Sequence, residues 1–262
     1  MSDYIPIHTF DEIPPFIRGV QERIYSLLIW ESRGGLGKTY TIKETLDKDD
    51  CIIISGHVTP LKLYMTVVHN PAKILVFDDV HSLMRDKKIV ALLLQICDMG
   101  EDKQVSYYTT AKYHGEPVPT TTISNNKCIL LCNNIPSGDA TYDALLTRAL
   151  RIKFNPSNEE VFKKLKTFAQ DKKIIKWIQD NIEHFNEPIN FRMYEWALKI
   201  KDNKQDWKAL LTKKYKLNEE FKLIADLVNM KYSDATRIWH KRIGTSSRTF
   251  DRRKAEYLKT NK

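Results

Sequence analysis

No stretch of this 262-residue chain approaches the ~18 consecutive apolar residues that a membrane-spanning helix needs. The longest apolar run, Ile89 to Cys97, is interrupted by Gln95. The opening residues, Met1-Ser2-Asp3-Tyr4, lack the basic-then-apolar order of a secretory signal, so the expected location is the cytoplasm. Cysteine is scarce: Cys51, Cys97, Cys128 and Cys132 stand inside apolar stretches with neither disulfide nor metal-ligand spacing. They read as buried, reduced thiols. Internal repeats and low-complexity tracts are missing too. A hydrophobic content of 42% with 10% aromatics excludes a mainly disordered chain. The length suffices for a hydrophobic core without staples.

Charge is present in excess of one sign. Lys and Arg number 42 against 33 Asp and Glu, a net charge of +9 with a pI near 9.2. That balance points to a polyanionic partner, or else to a solvated basic surface.

Apolar runs at Ile24–Trp30, Cys51–Ser55, Ile74–Phe77, Cys128–Cys132 and Arg151–Phe154 alternate with helical stretches after an extended, Pro-containing arm over residues 1–23. Continuous apolar runs suit strands buried on both faces, so the expected fold is α/β with a mostly parallel sheet. Val105–Ser124 breaks the alternation. It is rich in Tyr and Thr around His114-Gly115-Glu116-Pro117 and predicts a β-hairpin just before the fourth run. From Ser157 onward the pattern is helical.

Three motifs carry chemistry. Ser32-Arg33-Gly34-Gly35-Leu36-Gly37-Lys38-Thr39, between a strand and a helix, is a phosphate-binding loop with Ser at the first glycine position. Its glycines let backbone N–H groups turn toward phosphates; Lys38 would reach the β- and γ-phosphates and Thr39 would hold Mg²⁺. Ile74-Leu75-Val76-Phe77-Asp78-Asp79 is an apolar strand that delivers two acids to the carboxyl edge of a sheet, where α/β folds bind ligands. Asp78 would position Mg²⁺ and Asp79 would orient the attacking water. Cys128–Cys132 ends in Asn133-Asn134, which places an amide near the γ-phosphate.

Together these motifs resemble AAA+ ATPases over about residues 20–205. The resemblance implies ATP and Mg²⁺ as ligands. It assigns Ser32, Gly34, Gly35, Leu36, Gly37, Lys38, Thr39 and Tyr40 to the nucleotide, and Thr39 and Asp78 to the metal. Sensor 1 falls on Asn133, with Asn134 as the alternative. Arg148, just before the fifth run, matches an arginine finger that acts on a neighbouring subunit; the other reading is a surface salt bridge. Asn190-Phe191-Arg192 opens a helix as sensor 2 does, placing Arg192 at the nucleotide. The Asp-Asp pair and the hairpin are similar to the clade with a hairpin before sensor 1, including the replicative helicases of small DNA viruses. On the hairpin tip, Lys112, Tyr113 and His114 would contact DNA, Tyr113 by stacking on a base; the alternative is a structural hairpin against a neighbouring subunit. The resemblance implies a homo-oligomer, expected as a hexameric ring, acting on DNA with other replication proteins in a bacterial, archaeal or viral-host cytoplasm.

The expected organisation is an ATPase core with its arm over 1–155, a helical lid over 156–215 and a basic module over 216–262. Lys231–Lys262 holds ten Lys/Arg against three Asp/Glu. Stretches Asn218–Asn229, Ser233–Arg242 and Ser247–Lys259 resemble a helix-turn-helix or winged-helix unit, with Arg248, Arg252 and Arg253 as DNA contacts; the alternative is a solvated tail of the lid. Trp177, Trp196 and Trp207 are expected in the lid core, and His57, His69, His81 and His184 form no ligand spacing.

Overall fold

The five apolar runs and one short N-terminal strand line up in a single parallel sheet. In the computed structural model, which describes residues 4–79, 86–135 and 140–260, the strands are β1 (Ile5–Ile7), β2 (Leu27–Ser32), β3 (Cys51–Ser55), β4 (Ile74–Asp78), β9 (Lys127–Cys132) and β10 (Leu150–Phe154). Their spatial order is β1-β10-β2-β9-β4-β3, every pair parallel. All six residues of β2 and of β9 are buried. Alternate side chains therefore feed two cores, as expected for central strands covered on both faces.

Leu27, Ile29, Leu75, Phe77, Cys128 and Leu130 join a cluster with Leu63, Tyr64 and Val67 of α3 (Pro60–His69) and Ile89, Leu93 and Ile96 of α4 (Lys87–Ile96). On the other side Trp30 and Phe154 meet edge to face, and Phe10 packs on Phe154 with ring centres 4.8 Å apart.

Residues 1–23 were expected as an extended arm, and the described part is ordered into the fold instead. Ile5, Pro6 and Ile7 pair with Ile152, Lys153 and Phe154 at the sheet edge. Helix α1 (Ile13–Gln21) then forms. The prolines that argued against a helix sit in its first turn, where the missing N–H costs no intrahelical bond. Buried Ile13, Ile17 and Val20 fall at helical spacing.

The expected single hairpin is two stacked antiparallel ladders. β5 (Lys103–Ser106) pairs with β8 (Thr121–Ser124), and β6 (Lys112–Tyr113) with β7 (Glu116–Pro117) at the tip. His114 and Gly115, both at positive φ (51° and 90°), make the two-residue tip turn, the hand that matches strand twist.

The chain divides into two compact units, Met1–Glu160 and Val161–Lys262. The second unit is helical: α6 (Asn158–Leu165) leads into it, followed by α7 (Lys172–Gln179), α8 (Phe191–Asp202), α9 (Trp207–Lys214), α10 (Glu219–Leu227), α11 (Tyr232–Ile243) and α12 (Ser247–Thr260). Side-chain oxygens of Asp171, Asn190, Asp206 and Asn218 cap α7 to α10 in turn. Lys222 of α10 reaches back to Asn181 at 2.6 Å, and Phe185 pairs with Leu217, which joins residues 216–262 to the helices before them. Trp207 is buried as expected, but Trp196 is 36% exposed with the Lys214 ammonium over its ring. Among the described residues no helix is long and apolar enough to cross a membrane.

Candidate nucleotide site

The strand order decides which side chains meet. β9 lies between β2 and β4, so the residue after β9 stands between the Gly-rich loop and the acid pair. Register aligns the three strand ends: Glu31 faces Cys132, and Asp78 faces Leu131. Asn133 follows directly.

From Ser32 the chain turns through Gly35 (φ 80°) and Gly37 (φ 77°) into α2 (Lys38–Thr45). Positive φ at these two positions is the conformation that glycine adopts without steric cost. Leu36 is fully buried and pins the loop from beneath. Ser32, standing where glycine is usual, is the last residue of β2 and extended. Its backbone makes no demand for glycine, and its hydroxyl lies 3.3 Å from the Lys38 ammonium.

Four of the sequence-predicted side chains converge there. Lys38 Nζ donates to the carbonyls of Ser32 (2.7 Å) and Arg33 (3.3 Å) and to Asn133 Oδ1 (2.9 Å). Thr39 Oγ1 donates to Asp78 Oδ2 at 2.7 Å. Of the two candidate amides, Asn133 is the one bonded to Lys38. Asp79 is exposed and left-handed (φ 63°), a conformation Asp and Asn tolerate better than longer side chains. Tyr40 points to solvent, 62% exposed. The thiol of Cys132, beside Asn133, is pushed up to about 12 by burial and by the nearby Glu31 carboxylate.

One neighbouring cluster escaped the sequence reading. Glu31, buried immediately before the loop, pairs with Lys153 at 2.9 Å and accepts from the Tyr4 hydroxyl at 3.2 Å, while the Arg151 guanidinium lies 4.0 Å from the Tyr4 ring centre. Lys153 of β10 and Tyr4, just ahead of β1, therefore brace the end of β2. A Glu within an apolar strand next to a phosphate loop was the available signal.

Arg148 lies elsewhere. It precedes β10, whose first residue pairs with Leu28 and whose last pairs with Ser32. That puts it toward the edge of the sheet opposite the Gly-rich loop. It donates to the carbonyl of Leu94 and sits 3.9 Å from Asp98. Arg192 is the second residue of α8 in the second unit and is exposed.

The hairpin residues part company. Lys112 and His114 are exposed. Tyr113 is half-buried against the core cluster, and its hydroxyl accepts from Lys62 Nζ of α3 at 2.7 Å. The His114 ring stands edge-on to it at 4.3 Å and His69 lies 6.1 Å away. Tyr113, expected to stack on a base, is tied through its hydroxyl to α3.

In the second unit, α10 to α12 enclose a core of Leu223, Ile224, Leu227, Ala235, Trp239 and Phe250. Three residues join α11 to α12, beginning with Gly244 at φ 76°. Trp239 Nε1 and the His240 ring bond to Thr245 in that turn. A three-residue turn with glycine is within the length that helix-turn-helix units use. Arg248 and Arg252 are exposed on α12. Arg253 turns inward to Glu220 (2.7 Å) and Glu256 (2.8 Å). His81 lies outside the described residues.

The donor set at Thr39 and Asp78 is one hydroxyl and one carboxylate. Such hard oxygens suit Mg²⁺, which takes one or two protein ligands and completes its shell from phosphate and water.

No family model and no curated protein matches the chain. Among solved structures it is similar to one described as a DNA replication initiation factor, at 15% identity and TM-score 0.44, covering 82% of this chain and 66% of that one. It is also similar to a chain of the E. coli MS115-1 HORMA:CdnC:Trip13 complex, at 13% identity and TM-score 0.40, covering 69% of this chain and 76% of that one. This chain thus spans just under two thirds of the length of the first.

Proposed function

We propose that the chain is an AAA+ ATPase that couples ATP hydrolysis to work on DNA, as a replicative helicase or initiator of a virus, phage or plasmid. The observation that carries this reading is the pair of contacts across three strands: Thr39 to Asp78, and Lys38 to Asn133. Lys38, Thr39, Asp78 and Asn133 meet at one sheet edge, and this reading gives each of them a part in phosphoryl transfer.

In this reading backbone N–H groups of the 34–39 turn cradle phosphates, and Lys38 neutralises the β- and γ-phosphates. Asp79 orients the attacking water, and Asn133 holds Lys38 in register with the acid strand. Thr39 and Asp78 would hold Mg²⁺, which supplies further charge neutralisation when bound. The position of Arg148 away from its own loop fits a finger used in trans, so hydrolysis would need an oligomer, expected as a hexameric ring. Lys112 and His114 on the hairpin, and Arg248 and Arg252 on α12, would carry the DNA contacts. Steady-state ATPase with and without DNA, beside strand displacement, tests the reading. DNA-stimulated turnover with unwinding is expected. Stimulation without unwinding would make the chain a helicase loader or a transposition-type ATPase.

One observation favours a second reading, a nucleotide-switched DNA-binding regulator with weak turnover. Arg148 is already bonded within its own chain, to Leu94 and Asp98. Turnover that stays negligible at concentrations where DNA binding responds to ATP would select it.

A further inference from the structure

The hairpin carries three tyrosines with three different fates. Tyr107 turns inward and stacks on Tyr64, ring centres 5.3 Å apart and planes 28° from parallel. Tyr113 is pinned to Lys62. Tyr108 is 80% exposed. The ladder itself explains this. Lys103, Val105 and Ser124 are its buried positions, with Gln104 opposite Ile123 and Ser106 opposite Thr121 on the other face. Tyr107 N donates to Thr120 O at 2.9 Å and extends the ladder by one rung. Period-2 alternation then puts Tyr108 on the outward face with Gln104, Ser106 and Ile123, which is 51% exposed.

That face is uncharged and aromatic, and it is rigidly held. The buried Lys103 ammonium donates to the carbonyls of Ile96 and Asn126, and Gln95 of α4 accepts from Ser106 N at 2.8 Å. The tip beyond it is cationic. Lys62, His69 and His114 gather around Tyr113, and Lys112, the residue before it, is exposed. Glu116 is the one acid between Lys103 and Lys127. An uncharged strip with a projecting ring beside a cationic tip matches a ligand with flat apolar faces and a charged backbone. A nucleobase offers a π-face whatever its sequence, and its phosphates supply the anions.

We propose that Tyr108 is a stacking platform for a base of single-stranded nucleic acid whose phosphates meet Lys112. This rests on the reading that the chain works on DNA, and it gives the stacking role to a residue other than Tyr113. The test is anisotropy of a labelled oligothymidylate on the full chain. Every variant is made in an Arg248→Ala, Arg252→Ala background, so that α12 does not mask the hairpin. Tyr108→Ala should weaken binding roughly 5- to 150-fold, the range for one lost base–aromatic stack, with the salt slope unchanged. Tyr108→Trp should restore it, and Lys112→Ala should instead flatten the salt slope by about 0.7. Melting temperature should not move, since the Tyr108 ring is outside the core. If the parent binds and Tyr108→Ala binds equally well, the platform is elsewhere while the DNA reading stands. If the parent itself does not bind, single-strand engagement at the hairpin fails and the proposal falls with it. A variant that changes assembly mass at unchanged affinity would make this face a contact between copies, which also overturns the proposal.

Discussion

Thr39 Oγ1 donates a 2.7 Å hydrogen bond to Asp78 Oδ2, tying the first turn of α2 to the end of β4. These residues are 39 positions apart in the chain and on non-adjacent strand units, since β9 stands between β2 and β4. The bond spans the sheet edge on which the Lys38–Asn133 bond also lies. Breaking either component therefore has a separable consequence.

Lys38→Ala should abolish nucleotide binding, because the ammonium that links the loop carbonyls to Asn133 is lost. Asp79→Asn should bind ATP and lose at least ~100-fold in turnover, the lower end for a positioned base. Asn also accepts the left-handed backbone at φ 63°, so this variant should fold normally. Nucleotide titration and steady-state turnover on both variants check this. Undiminished turnover in Asp79→Asn would remove the residue from its role.

Arg148→Ala should bind ATP normally and hydrolyse it on the order of 10³-fold more slowly, as for a lost finger. It also loses the bond to the Leu94 carbonyl, so its melting temperature must be compared in parallel. Mixing it with Lys38→Ala should recover part of the activity, since each variant supplies the half-site the other lacks. A co-assembled mixture that stays inactive would shift the finger away from Arg148.

How legible this was depended on the kind of signal. The central strands were readable because Ile74–Phe77 and Cys128–Cys132 are apolar without interruption, and burial on both faces leaves no other option. The Gly-rich loop was readable because local backbone geometry forces glycine at 35 and 37. Strand order was not, because nothing in Cys128–Cys132 says that it inserts between β2 and β4. The choice between Asn133 and Asn134 waited on that insertion. The helix over Ile13–Gln21 was missed because Pro14 and Pro15 were weighed as breakers, although prolines in a first turn are harmless. The contact of Tyr113 was illegible for a different reason: composition cannot tell which tyrosine of Tyr107, Tyr108 and Tyr113 meets Lys62.

Asp171 caps α7 through Lys173 N (3.0 Å) and Ile174 N (3.1 Å) and pairs with Lys201. The hydrogen bond from Lys201 and those two N–H groups hold its carboxyl below the ordinary carboxylate value. A carboxyl lowered in the folded state stabilises fully above its unfolded value, about pH 4, and the contribution disappears as pH falls through the folded value. Asp171→Ala should cost about 1 kcal/mol at neutral pH for the cap alone. Asp171→Asn can keep the cap but not the titration, so its stability should fall less steeply than wild type below about pH 4. Urea denaturation at several pH values measures both. Parallel acid limbs would show that the Lys201 pair contributes nothing.

The last prediction separates two arginines that are neighbours in sequence. Arg252 is exposed, whereas Arg253 is held by Glu220 of α10 and Glu256 one turn on. A guanidinium shared between two carboxylates gains little by moving to a phosphate, because both acids would be left without their partner. If α12 meets duplex DNA with its outer face, Arg248→Ala with Arg252→Ala should reduce the salt slope of binding by about two, one for each lost phosphate contact. Arg253→Ala should leave that slope unchanged and lower the melting temperature of the second unit, because the α10–α12 link is lost. The comparison is made on the full chain, by duplex titration at several salt concentrations and by calorimetry. A slope reduced by Arg253→Ala with no loss of thermal stability would mean that Arg253 leaves its carboxylates to bind DNA, and that the face of α12 turned toward α10 is the one that docks.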